Sequence, residues 1–164
     1  MDFSLLADRP AAIPLIARWY FDEWGERSRG STVATICANL ETYLNRMAIP
    51  LLVLAVDHDD ILGVASLKYR EMDIYPDREH WLGGVYVPTL HRGRRVGSRV
   101  VENVVARARR LNVSTLHLQT ERLDGGMYGR LGWKESARVT YRGREVLVME
   151  QTLLQSIPDG AHTQ

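Results

Sequence analysis

Residues 85–98 read Val85-Tyr86-Val87-Pro88-Thr89-Leu90-His91-Arg92-Gly93-Arg94-Arg95-Val96-Gly97-Ser98, an apolar strand joined to an amphipathic helix by a basic, glycine-bearing loop. Pro88 ends the strand, because proline has no N–H to offer a ladder. The first amides of the helix that follows lack intrahelical acceptors and sit at the positive end of its dipole, and Gly93 and Gly97 let backbone come close to a ligand. Arg92, Arg94 and Arg95 add fixed positive charge, and a guanidinium grips phosphate oxygens through two parallel hydrogen bonds. The stretch therefore predicts a phosphate-binding loop. It is not a Walker loop, since no Lys followed by Ser or Thr completes it, and it lacks the glycine triplet of dinucleotide-binding turns.

With 164 residues and 45% hydrophobic content, the chain can bury one core. One domain is expected over residues 1–154, with 155–164 a flexible tail. A formal charge of +1 with 25% charged residues gives no nucleic-acid footprint. The arginines nevertheless cluster between Arg92 and Arg110, which points to a local anionic ligand. Cys37 is the single cysteine, so an internal disulfide and a thiolate metal cluster are excluded, and its place on the apolar face of a helix suggests packing.

Met1-Asp2-Phe3-Ser4 does not begin a basic-then-apolar leader, and the longest apolar run, 49–56, is too short to cross a bilayer. A cytoplasmic protein with no membrane partner is expected. His58, His80, His91, His117 and His162 are scattered without paired ligand spacing, so no metal is expected and His117 reads as a satisfied structural residue.

Apolar positions recur at helical spacing over 11–24 and again over 32–47, the second run capped by Ser31 or Thr32. The period then changes: 51–56 and 61–69 are β-branched, apolar runs flanking Asp57-His58-Asp59-Asp60, an antiparallel hairpin. A polar, acidic segment over 70–80 leads into a strand over 81–87. A helix over 97–110 follows, then a strand over 114–120, a short helix centred on Tyr128 ending near Gly132, and a hairpin of 139–142 with 145–150.

This order, with Arg92-Gly93-Arg94-Arg95-Val96-Gly97 and Met127-Tyr128-Gly129-Arg130-Leu131-Gly132-Trp133 inside it, resembles the GNAT superfamily of acetyl-coenzyme A dependent N-acetyltransferases. The resemblance runs from about Phe3 to Gln151 and is sharpest between Trp81 and Trp133. It implies an α+β fold with a central mixed, mostly antiparallel twisted sheet flanked by helices, and acetyl-coenzyme A as co-substrate. The backbone of Val85, Tyr86 and Val87 would pair with the pantetheine arm. The amides from Arg94 through Arg95, Val96 and Gly97 to Ser98 would hold the pyrophosphate, with Arg92 and Gly93 shaping the loop. Tyr128 would donate a proton to the departing thiolate or polarise the thioester sulfur. The chain departs from the family where Arg95 replaces a glycine, so the loop requires Arg95 in a helical conformation, and where Glu121 and Asp124 stand in place of Asn and Ala.

In that chemistry a neutral amine attacks the acetyl carbonyl, an oxyanion forms and a thiolate leaves. Backbone amides on the splayed strand could stabilise the oxyanion, that of Val85 first among them. A tyrosine of ordinary pKa, about 10, can protonate a thiolate at little cost. Many family members carry a Glu on the strand before the loop, but Trp81-Leu82-Gly83-Gly84-Val85-Tyr86-Val87 has no carboxylate. Glu71 and Asp73 are the candidate bases, on one side of the chain if it stays extended, and His80 is a further candidate. With Asp77 and Glu79 they suggest a cationic acceptor, and Asp22 and Glu23 could add to its entrance. Small amines, antibiotics, amino acids and peptide N-termini all remain open as acceptors. A competing reading is a catalytically inactive acyl-coenzyme A sensor of the same fold. The final strand, if exposed, could pair a homodimer.

Overall fold

The computed structural model describes residues 1–154, so the expected tail at 155–164 lies outside the described residues. Among the described residues, seven strands form one sheet in the order β1-β2-β3-β4-β5-β7-β6. They are β1 (Asp2–Leu5), β2 (Leu51–Asp57), β3 (Asp60–Tyr69), β4 (His80–Tyr86), β5 (Thr115–Thr120), β6 (Lys134–Tyr141) and β7 (Arg144–Thr152). Among the described residues only β4 and β5 run parallel, and every other pair is antiparallel. The helices are α1 (Ile13–Trp24), α2 (Val33–Glu41), α3 (Val96–Arg110) and α4 (Gly126–Arg130). The α+β class with a mixed, mostly antiparallel sheet is therefore observed.

Two cores cover the faces of the sheet. Val96, Val100, Val101, Val104, Val105 and Ala108 form the buried stripe of α3 and pack with Leu51, Val53, Ala65, Leu67, Leu116 and Leu118. Full burial of each valine is worth roughly 1.5–3 kcal/mol, so this stripe is the main anchor of α3. On the other face Ile13, Ile16 and Ala17 of α1 and Leu40 of α2 meet Leu52, Leu54 and Val64. Cys37 is half-buried against this second core, in keeping with a packing role. A third cluster, Met72, Trp81, Val146 and Val148, lies beneath the segment between β3 and β4.

Several boundaries differ from expectation. The second helix stops at Glu41, because Thr42 turns its hydroxyl onto Asn39 O and Asn45 donates to both Thr42 O and Pro50 O. Side chains that bond local carbonyls compete with the helix and end it. Met47, expected on the helix, is 80% exposed. β1 escaped the reading because four residues are too few to show a period. The last hairpin is longer than 139–150, and its turn at Arg142 and Gly143 has positive φ at both residues, 50° and 79°, as a tight two-residue turn requires. The final strand is not an edge, since β7 lies between β5 and β6; the edges of the sheet are β1 and β6.

Candidate active site

The parallel pair β4–β5 is joined at one register point, Trp81 opposite His117. Beyond it the strands part, leaving a V whose arms are the C-terminal halves of β4 and β5. β4 also carries a bulge: its register with β3 slips between Val64 opposite Tyr86 and Ser66 opposite Gly83, and Gly84 sits there at φ 57°. A glycine tolerates that left-handed backbone where other residues are strained. Val85, Tyr86 and Val87 thus line the arm of the V that β5 has left.

From Val87 the chain passes Pro88 and a 3-10 turn at Thr89–His91 into the basic loop and α3. Arg92 Nε donates to Val87 O at 2.9 Å, which ties the loop back to the strand. Arg94 donates to His91 Nδ1 at 2.7 Å. Arg95 does not adopt the expected helical conformation. It caps α3 in the left-handed region at φ 61°, ψ 18°, and Gly93 lies at φ 79°. The first helical bond is Arg99 N to Arg95 O at 3.1 Å, so the amides of Val96, Gly97 and Ser98 have no partner within the helix. The left-handed conformation strains a non-glycine residue by about 1–2 kcal/mol, while glycine loosens the unfolded chain by about 0.4–1 kcal/mol. Arg95→Gly is therefore expected to stabilise the fold by roughly 0.5–1 kcal/mol in urea unfolding; a loss of stability would show that the Arg95 side chain holds the loop.

The arginine cluster divides. Arg107, Arg109 and Arg110 occupy the last turn of α3, where positive charge suits the helix dipole. They lie about 20 Å from the loop along the helix and do not join it.

Gly97 faces α4: a Cβ on it would meet Met127 Sδ at 3.4 Å and Val87 Cγ2 at 3.6 Å. The close approach brings α4, and with it Tyr128, beside the start of α3. Gly125 opens α4 at φ 81°, and Asp124 caps the turn by accepting from Gly126 N at 3.0 Å. That capping bond is a use for the acid that stands where Ala was expected. Tyr128 packs edge-to-face on buried Trp133, with ring centroids 6.3 Å apart. Burial, reinforced by the charge of Glu71, pushes its hydroxyl up to about 12.

Glu71 reaches this point because the chain leaves its strand path. β3 ends at Tyr69 and Arg70 takes φ 41°, so 70–73 is not extended and the two candidate bases separate. Glu71 lies over Gly83 of β4: a Cβ there would meet Glu71 Oε1 and Lys68 Cδ, each at 2.9 Å. Lys68 Nζ donates to Glu71 Oε1 at 3.2 Å. Burial works against the Lys68 charge, but the charge of Glu71, then Tyr43 and the hydrogen bond to Glu71, together outweigh it and hold the ammonium above its ordinary value. Asp73 turns to the far hairpin instead. Its carboxylate is 3.6 Å from Arg142 and mostly exposed, and its N–H donates to Tyr141 Oη at 3.4 Å. Glu79 stands 3.9 Å from Arg70, and His80 stacks on Tyr69 at 5.5 Å.

His117 departs from its expected satisfied state. It is buried against Trp81 at 5.4 Å, its Nδ1 has no hydrogen-bond partner, and Glu150 is 3.7 Å away. Burial first, then Arg78, lowers its pKa, which leaves it a neutral ring. Among the described residues no three His, Cys, Asp or Glu side chains converge as a metal site, and no helix is long and apolar enough to cross a membrane.

Sequence reasoning missed Lys68, Tyr20, Ser66 and the paired glycines Gly83 and Gly84. Consecutive glycines inside an apolar strand are the signal that was there, since they mark bulges and close approaches. Tyr20 Oη donates to Gly84 O at 2.6 Å and Ser66 Oγ to Gly83 O at 2.9 Å. Trp19 and Trp24 flank Tyr86, with ring centroids at 5.5 and 6.3 Å, so the end of α1 walls the bulge with aromatic rings.

A sheet splayed between two parallel strands, with a helix start and a tyrosine helix at its mouth, is the arrangement of acyl-group transferases. The chain belongs to the acetyltransferase (GNAT) family, whose model matches residues 13–133. It is an acyltransferase by that membership. Among solved structures it is similar to aminoglycoside 6'-acetyltransferase type Ii, with TM-score 0.74 and 19% identity over 96% of this chain and 100% of the other. It is similar also to an aminoglycoside 6'-N-acetyltransferase complexed with coenzyme A, with TM-score 0.75 and 16% identity over 96% and 99% of the chains. A ribosomal-protein-alanine N-acetyltransferase from Brucella melitensis gives TM-score 0.74 and 18% identity over 93% and 100%. At these identities the likeness establishes the fold. Comparison with curated protein sequences gave no match.

Proposed function

We propose that the protein transfers the acetyl group of acetyl-coenzyme A to a primary amine by direct attack in a ternary complex. The observation that carries this reading is that Glu71 lies over Gly83 beside the bulge of β4, where its charge acts on the Tyr128 hydroxyl, at the open side of the V. The pantetheine arm would lie along Val85, Tyr86 and Val87. The pyrophosphate would sit on the free amides of Val96, Gly97 and Ser98, within the loop formed by Arg92, Gly93, Arg94 and Arg95. Glu71 takes a proton from the incoming amine, directly or through a water. The new C–N bond forms as the Val85 N–H steadies the oxyanion, the C–S bond breaks, and Tyr128 protonates the sulfur. The raised pKa of Tyr128 does not spoil this balance, because a thiolate leaving into the same buried surroundings is destabilised along with the phenolate.

The acceptor remains a small cationic amine or a peptide N-terminus; the structural neighbours named above include an aminoglycoside acetyltransferase and a ribosomal-protein-alanine N-acetyltransferase. The acidic segment gives a cation less attraction than its composition implied. Glu71, Asp73 and Glu79 each stand beside a Lys or Arg, and paired charges steer weakly. Asp73→Asn is accordingly expected to leave kcat/KM within about twofold at low salt; a larger loss would restore Asp73 to the site.

Release of free thiol from acetyl-coenzyme A, followed against a panel of amines and peptides, tests the activity and finds the substrate class. Amine-dependent release is expected. Binding of acetyl-coenzyme A without release for any acceptor would favour a sensor. The cofactor seat has its own test. Ser98→Asp places a carboxylate in the first turn of α3, which suits the helix but opposes phosphate. The apo protein should melt no lower, and acetyl-coenzyme A affinity should fall at least about tenfold. Unchanged affinity would move the pyrophosphate elsewhere.

A further inference from the structure

Two hydroxyls from different elements pin successive peptide planes of the β4 bulge, Tyr20 of α1 on Gly84 O and Ser66 of β3 on Gly83 O. A peptide unit is planar and trans, so its C=O and N–H point in opposite directions. Holding Gly84 O against the Tyr20 hydroxyl therefore fixes the direction of the Val85 N–H, away from that hydroxyl. Past Trp81, β5 supplies no ladder partner on this arm.

The arrangement depends on Gly84. A Cβ there would stand 2.6 Å from Tyr20 Oη and 3.3 Å from Ser66 Oγ, so a larger residue would push both hydroxyls off the bulge. Tyr20 is in turn held by Trp24, with ring centroids 5.3 Å apart. Burial, with Tyr43 adding to it, raises the Tyr20 pKa far above the ordinary tyrosine value. The hydroxyl is therefore a permanent donor.

We propose that Tyr20, seconded by Ser66, is a positioning residue that aims the Val85 N–H at the thioester carbonyl. The role rests on the V being the acetyl-coenzyme A site. It extends that reading by assigning the alignment of the oxyanion donor to a helix outside the phosphate loop and the tyrosine helix.

Coenzyme A and acetyl-coenzyme A differ by the acetyl group alone, so their Kd values isolate contacts to its carbonyl and need no knowledge of the amine. Calorimetric Kd values for both are to be measured on wild type, Tyr20→Phe and Ser66→Ala, with thermal melts beside them. Tyr20→Phe is expected to weaken acetyl-coenzyme A about fivefold, the worth of one well-made hydrogen bond, while coenzyme A changes less than about twofold. Ser66→Ala should shift the same ratio in the same direction by less. If Tyr20→Phe does not fold, the Ser66→Ala ratio decides by the same criterion. Equal losses for the two ligands would reduce Tyr20 to a structural support, and no loss for either would overturn the role outright. A wild type that binds neither ligand would overturn the proposed function itself, an outcome separate from the other two.

Discussion

Tyr128→Phe lowers kcat by at least about a hundredfold, with the affinity for acetyl-coenzyme A nearly unchanged. The substitution removes one hydroxyl and keeps the ring that packs on Trp133, so the melting temperature should hold. General acid catalysis contributes about a hundredfold to ten-thousandfold, and a loss confined to kcat marks an interaction made in the transition state. The pH profile carries the same assignment. The active form of Tyr128 is protonated, and with its pKa pushed up to about 12 that form persists through the alkaline range. It is lost only as pH rises through that value. No alkaline limb assignable to Tyr128 is therefore expected below about pH 11. A kcat within about threefold of wild type would make Tyr128 a packing residue and leave the thiolate to take its proton from water.

Glu71→Gln is expected to lower kcat/KM by about a hundredfold or more. Glutamine keeps the shape that lies over Gly83, so the site should stay assembled while its proton acceptor is gone. Stability provides a control. The variant leaves Lys68 without its ionic partner, and the double change Lys68→Met with Glu71→Gln should recover the lost melting temperature without recovering the rate. If Glu71→Gln alone keeps kcat/KM within about threefold, the carboxylate serves only to pair Lys68.

The loop and helix were legible in the sequence because their signals are local. Proline at the strand end, glycines and arginines in the turn and a valine stripe in the helix each fix structure within a few residues. The same holds for Met127-Tyr128-Gly129, where α4 forms and Tyr128 meets Trp133 five residues on. What could not be read depends on residues far apart in the chain.

Glu71 and Asp73 are neighbours in sequence, yet the positive φ of Arg70 sends one to the V and the other to the β6–β7 hairpin. Arg95 looked like a departure that needed helical backbone, but it takes the left-handed conformation a glycine would take. The strain of a single residue is small beside the burial of α3 that fixes its position. Tyr20 read as one more apolar helix position. Its hydroxyl acquires a partner only when a bulge 64 residues away brings Gly84 O within 2.6 Å. The acidic segment also misled, because counting carboxylates ignores the lysine and arginines that fold against them.

Thermal melting with acetyl-coenzyme A, coenzyme A and ATP, each at millimolar concentration, tests most directly whether the V and the loop at the start of α3 form an acyl-coenzyme A site. A ligand that binds only the folded state adds RT ln(1 + [L]/Kd), about 2.7 kcal/mol at a hundredfold excess over Kd. For a chain of this length that is a rise of roughly 5–10 °C. The expected result is such a rise with acetyl-coenzyme A and coenzyme A and a far smaller one with ATP. No rise with acetyl-coenzyme A, or an equal rise with ATP, would contradict it.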